Sequence, residues 1–156
     1  MGTKKQKHGR MVGRFFALPH HVLKSEEWVA LPSSAKGLLL DVGVQLNGSN
    51  NGDLSIAFKL MQPRGWSSET TLHKAKRALL DGGFLYETRK GQRPNLCSLF
   101  ALAWLPLNVN DKFDIGVLAA YRPTQFSPLP LEPKRVRCAG GQKRGATAEM
   151  GVAALA

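Results

Sequence analysis

The strongest constraint in this sequence is the change of hydrophobic period at Gly82-Gly83. Before the two glycines, Leu72, Ala75 and Leu79 recur at i, i+3 and i+7, the spacing of one helical face. Ser67-Ser68-Glu69-Thr70 offers a hydroxyl cap and an early acid, which predicts a helix over about 68–81. Asp81-Gly82-Gly83 stops that helix, because glycine is the usual residue past a helix end. After it, Phe84-Leu85-Tyr86-Glu87-Thr88-Arg89 alternates with period two, as a strand does. Gly91-Gln92-Arg93-Pro94-Asn95 reads as a turn, and Leu96–Trp104 as a second strand, apolar enough to be buried on both faces. A capped amphipathic helix running straight into a hairpin predicts a mixed α+β domain.

Upstream, Phe16, Leu18, Val22, Leu23, Trp28, Val29 and Leu31 suggest two short helical pieces. Pro19 suits the first turn of one and Ser25 before Glu26-Glu27 the cap of the next. Pro32-Ser33-Ser34 opens a stronger helix over about 33–46, with Ala35, Leu38, Leu39, Val42, Val44 and Leu46 as its apolar residues. Gly37 and Gly43 weaken it by about 1 kcal/mol each relative to Ala, and glycines there permit close packing. Asn47 to Asp53 is a loop rich in residues that tolerate positive φ. Leu54–Met61 reads as a short helix, with room for a short strand at 53–55 before it, and Gln62-Pro63-Arg64-Gly65 ends it.

The charge balance narrows the function. The chain has 156 residues, with 22 Lys+Arg against 11 Asp+Glu, a formal charge of +11 that attracts polyanions. Residues 1–14 carry +5 with no acid, 15–105 carry +3 and 106–156 carry +3. Three segments are therefore expected: a basic arm at 1–14, one folded domain at 15–106, and a Pro/Gly/Ala-rich basic tail at 107–156 that is mostly disordered. No apolar run approaches the ~20 residues of a membrane span. The basic N-terminal segment has no apolar stretch behind it, so no secretory signal is expected, and a cytoplasmic, nucleoid-associated location follows. Cys97 and Cys138 form no CxxC pair, which argues against zinc and redox motifs.

The order helix, loop, short helix, turn, capped helix, hairpin resembles the winged helix-turn-helix superfamily over Leu54–Trp104. The run Ser68-Glu69-Thr70-Thr71-Leu72, with Ala75, Leu79 and Gly83-Phe84, is similar to recognition helices of bacterial winged-helix regulators, including the GntR-like type. Phe16–Leu54 resembles the N-terminal half of small helix-turn-helix proteins of bacterial phages, plasmids and genomic islands. The resemblance covers about residues 15–106. It implies a non-catalytic regulator of transcription or replication on a mobile element that binds duplex DNA by sequence, with a replication-initiation accessory protein or a winged-helix protein- or RNA-interaction module as the alternatives. Glu69 departs from the GntR-like pattern, which often has an arginine there.

Turning the 68–81 helix by 100° per residue places Thr70, His73, Lys74 and Arg77 opposite the apolar stripe, a mixture suited to phosphates and base edges. Lys76 falls nearer the buried edge, so its stem packs and its amine points outward. Arg89, Lys90 and Arg93 surround the hairpin turn, where a wing would meet phosphate or minor groove. The candidate DNA-binding set is Arg64, Ser67, Ser68, Glu69, Thr70, Thr71, His73, Lys74, Arg77, Arg89, Lys90 and Arg93. Duplex DNA is the expected partner, with RNA or an acidic protein as the rival and a homodimer as an open arrangement. Trp28, Trp66 and Trp104 read as core or core edge, His20-His21 as a surface pair, and Cys97 as a buried thiol. No Walker loop, GxSxG or carboxylate cluster is present, so neither catalysis nor a cofactor or metal is expected.

Overall fold

The computed structural model describes residues 13–92, 94 and 96–129. Among them are six α-helices and one three-stranded antiparallel sheet, a mixed α+β architecture. The helices before the sheet are α1 (His20–Leu23), α2 (Glu26–Ala30) and α3 (Ser33–Gly43). Then come β1 (Leu54–Ser55), α4 (Phe58–Met61) with a 3-10 turn at Gln62–Arg64, and α5 (Glu69–Asp81). The hairpin strands β2 (Leu85–Arg89) and β3 (Leu99–Leu102) follow, and α6 (Val117–Ala120) lies beyond them.

α5 forms where its cap and stripe place it. Ser68 Oγ accepts from Thr71 N at 3.3 Å, and Glu69 adds an acid at the positive end of the helix dipole. Leu72, Ala75 and Leu79 are buried, and α5 packs against α3. Gly83 takes φ +72°, a left-handed turn that admits Phe84 to the core at 0 % exposure. α3 is shorter than the expected 33–46: Val44 caps it, and Gln45 N and Leu46 N bond three residues back, to Val42 O and Gly43 O, instead of continuing the helix. Gln45 then acts as a neighbour to β1: its side-chain amide donates to Ser55 O at 2.9 Å and its Oε1 accepts from Ser55 N at 3.0 Å. Gly43 meets the Phe16 ring so closely that a Cβ there would lie 2.5 Å from it, whereas Gly37 faces open space.

Helix at 54–61 begins only at Phe58, because Leu54 and Ser55 pair with Phe100 and Leu99. The strand order is β1-β3-β2, which leaves β3 central. Leu85 pairs with Leu102 and Glu87 with Phe100, with a bulge between Glu87 and Arg89. Leu85, Phe100 and Leu102 belong to the same core as α5's stripe. The second strand is regular over 99–102 rather than 96–104, and all four of its residues are buried.

What covers the other face of β3 corrects the expected tail. Residues 107–129 are not loosely attached: they run back over the sheet and return to α1 and α2. Tyr121 is 7 % exposed, stands edge-on to Tyr86 at 5.0 Å between ring centroids, and puts its hydroxyl within reach of the Leu102, Ala103 and Leu105 carbonyls. Thr124 N donates to Ala103 O at 2.7 Å, and Leu129 N to Lys24 O at 2.9 Å. Phe126 joins Phe84, Trp104, Trp28 and Phe16 in one aromatic cluster. The prolines that suggested disorder leave enough aromatic surface between them to fold back. The domain boundary therefore lies beyond 106, at or after Leu129. The remainder of the tail, with Cys138, and arm residues 1–12 lie outside the described residues.

Asn51 locks this arrangement from inside. It is 2 % exposed; its Oδ1 accepts from Leu102 N at 2.7 Å, and its amide nitrogen lies 3.0–3.2 Å from the carbonyls of Leu102, Leu105 and Pro106. Its backbone exchanges two further bonds with Asn108, both 2.9 Å. Thr88, also buried, donates to Gly52 O at 2.6 Å.

Candidate nucleic-acid interface

α5 is anchored on one side and free on the other. Thr70, His73, Lys74 and Arg77 are all exposed and border one shallow depression between the helix and β2, which Lys76 and Glu87 also line. Lys76 is half-buried, as its position predicts, but its amine sits over the Phe100 ring, 5.9 Å from the centroid, rather than pointing outward. Asp81, at the end of the same exposed stripe, and Glu87 add acids to this surface. Glu69 and His73 face a second groove floored by Leu72 and Phe100 and bordered by Ser98 and Cys97 of the hairpin. Glu69 Oε1 lies 3.6 Å from His73 Nε2.

Arg64, Ser67, Ser68 and Thr71 gather in a third depression, on the α3 side of α5. Here the structure gives a structural role to part of the expected binding set. Arg64 Nε bonds Asp41 Oδ1 at 2.8 Å and Trp66 Nε1 donates to Asp41 Oδ2 at 2.8 Å, so one carboxylate of α3 clamps the turn that leads into α5. Ser68 is occupied as the cap. Ser67 and Thr71 remain exposed.

The hairpin differs from expectation in a similar way. Arg89 does not project freely; its Nε and Nη2 lie 3.3 Å and 3.0 Å from Cys97 O, which braces one strand against the other below the bulge. Gln92 and Leu96 close the tip through paired backbone bonds of 2.8 Å and 2.9 Å. Lys90 is exposed, but its backbone N–H donates to Asp114 Oδ2 at 2.8 Å, which brings an acid from the segment after the sheet to the base of the hairpin. Arg93 lies outside the described residues. Cys97 is exposed rather than buried, because the regular strand begins two residues later at Leu99. Lys59, an exposed cation on α4, carried no signal of its own because α4 is too short to show a face.

Tyr121 and Glu27, whose acidities the fold shifts, lie away from these depressions. Burial pushes the Tyr121 phenol up to about 12. Backbone hydrogen bonding at Glu27 itself, with further bonds from Ser127, holds the Glu27 carboxyl below its usual range. His20 and His21 are exposed on α1, and Trp28, Trp66 and Trp104 pack at the core edge. Among the described residues, no group of three or more His, Cys, Asp or Glu could hold a metal ion, and no helix is long and apolar enough to cross a membrane. Comparison with protein-family models, with curated proteins and with solved structures finds no match to this chain.

Proposed function

We propose that this protein is a winged helix-turn-helix that binds duplex DNA by sequence, with α5 as the reading helix and the β2–β3 hairpin as the wing. The observation that carries the reading is the exposed stripe of Thr70, His73, Lys74 and Arg77 on a helix whose opposite face is locked into the core. Cations in that stripe suit phosphates, while a hydroxyl and an imidazole suit base edges. The element order and the β1-β3-β2 sheet support the reading, since a helix-turn-helix followed by a paired hairpin has this sequence of parts. The formal charge of +11 supports a polyanionic partner.

On this reading Lys74 and Arg77 neutralise phosphates, Thr70 and His73 read base edges, and Lys90 holds the wing to the backbone. Arg64 and Arg89 serve by positioning: one fixes the angle at which α5 leaves the turn, the other stiffens the hairpin. The role is that of a non-catalytic regulator of transcription or replication acting in the cytoplasm. The deciding experiment is selection of bound duplexes from a random pool by the full chain, with affinities measured over a range of salt. Enrichment of one sequence, with affinity falling as salt rises, supports the reading. No enrichment and no salt dependence overturns it; tight, salt-dependent binding to RNA or to an acidic protein alone assigns the surface to that partner instead.

A further inference from the structure

Glu69 stands at the front of α5, 65 % exposed at its side chain, on a helix that also carries Lys74, Lys76 and Arg77. Lys74, Lys76 and Arg77 lie along the same helix, yet among the described residues none of them comes within ion-pair distance of it. Among the described residues its one partner within ion-pair distance is the His73 imidazole, whose Nε2 is 3.6 Å away and which is itself 59 % exposed. The cap of the helix is already supplied by Ser68. The fold thus leaves an exposed carboxyl group, a hydrogen-bond acceptor with only the His73 imidazole close by among the described residues, beside the residues that would enter a groove.

On the major-groove side of a duplex nearly every group that a helix meets is also an acceptor: phosphate oxygens, guanine O6 and N7, adenine N7 and thymine O4. The donors are the exocyclic amines, cytosine N4 and adenine N6. A carboxylate carried into that groove is repelled by the phosphates and base acceptors and can accept a hydrogen bond only from an amine. Resting on the DNA-binding reading above, we propose that Glu69 is a specificity-determining residue that selects an exocyclic amine, cytosine N4 or adenine N6, at one position of the site. It acts by accepting from that amine and by rejecting guanine and thymine edges. His73, one turn further on, borders the same groove and limits the directions the carboxylate can take.

The test uses the full chain and its E69A and E69Q variants, each taken through selection from a random duplex pool. Affinities are then measured for the selected site, its single-base variants and an unrelated duplex. The wild type is expected to require C or A at one position, with other bases there weakening binding about 5- to 100-fold. The base found there distinguishes the two amines. E69A is expected to lose discrimination at that position alone, while its affinity for the unrelated duplex stays equal or rises, because a charge that repels phosphates is gone. E69Q is expected to move the preference toward adenine, since a carboxamide pairs with adenine N6 and N7. Unchanged preferences in both variants, accompanied only by a lower thermal midpoint, would reduce Glu69 to a partner of the helix dipole and overturn the proposal. A wild-type chain that selects a sequence with no such position also overturns it, while leaving the DNA-binding reading intact. A chain that selects no duplex at all removes both.

Discussion

Phe126 stacks on Phe84, with ring centroids 4.7 Å apart and planes 27° from parallel. Phe84 is the first residue after the left-handed turn that ends α5, and Phe126 arrives from the segment that follows the hairpin. The residue that joins helix to wing is therefore held by a part of the chain some forty residues later. A destabilised return segment would act on the candidate interface through Phe84, besides losing the direct bond that Lys90 N–H donates to Asp114.

Phe126→Ala should lower stability by about 2 kcal/mol, less than a fully buried phenylalanine because the ring is only partly covered. Truncation after Leu107 should cost far more, since it also removes Tyr121 and exposes the outer face of β3. Urea unfolding followed by circular dichroism checks both. A truncated chain as stable as the intact one would show that 108–129 adds nothing to the fold.

Asn51→Ala should cost about 2–4 kcal/mol, because it leaves the Leu102 N–H and nearby carbonyls buried and unpaired. Asn51→Asp should not rescue it: the carboxylate would face carbonyl oxygens where the amide now donates. The shift in thermal midpoint of the two variants is the measurement.

Stability at high pH should follow Tyr121. Its folded-state value of about 12 lies above the ordinary 10.0, so the neutral phenol is favoured by folding. That contribution is complete below about pH 10 and is lost as pH rises toward about 12. The urea midpoint should therefore be level up to about pH 10 and fall beyond it, and Tyr121→Phe should flatten the fall at the expense of a lower midpoint throughout. A steep fall retained in the variant would assign it to another group.

Lys74→Ala and Arg77→Ala should each reduce the slope of log affinity against log salt by about one unit, as loss of one phosphate contact does. Arg89→Ala should change that slope less and instead loosen the hairpin, because its guanidinium is committed to Cys97 O. Hydrogen exchange at β2 and β3 reads the second effect. An Arg89 variant that loses a full unit of slope with unchanged exchange would return Arg89 to the contact surface.

Thr70→Ala and His73→Ala together should cut the preference for the selected duplex over a random one while leaving non-specific affinity nearly constant. Each lost base contact is worth about 1–3 kcal/mol. Competition binding with the two duplexes reads the ratio. An unchanged ratio would move sequence reading from α5 to the hairpin.

The parts legible in the sequence were those with a local physical cause. Ser68, Glu69 and the Leu72-Ala75-Leu79 stripe mark α5 because capping and helical spacing act within a few residues. The exposure of Thr70, His73, Lys74 and Arg77 follows from the same geometry. Gly83 and the alternation after it mark β2. Arg64 and Arg89 were legible as cations but not as braces, since Asp41 lies 23 residues before Arg64 and Cys97 O across the hairpin turn. Asn51 reads as one more loop asparagine, and nothing near it in sequence reveals four partners more than 50 residues away.

The sequence by itself determined the order of the helices α1 to α5 and of the hairpin after them, the position of the capped helix and the polar character of its outer face, all set by interactions along a few turns of chain. It also contained a hint it could not explain: Leu99-Phe100-Ala101-Leu102 is apolar on both sides of a strand. Only the tertiary structure decided why. α5 covers one face of β3 and the returning segment with Tyr121 covers the other, so the strand needs no polar side. That return was invisible because residues 107–129 lack a helical or strand period. Their order comes from scattered aromatic rings and backbone hydrogen bonds to distant partners, whose favourable energy exists only once the sheet is already in place.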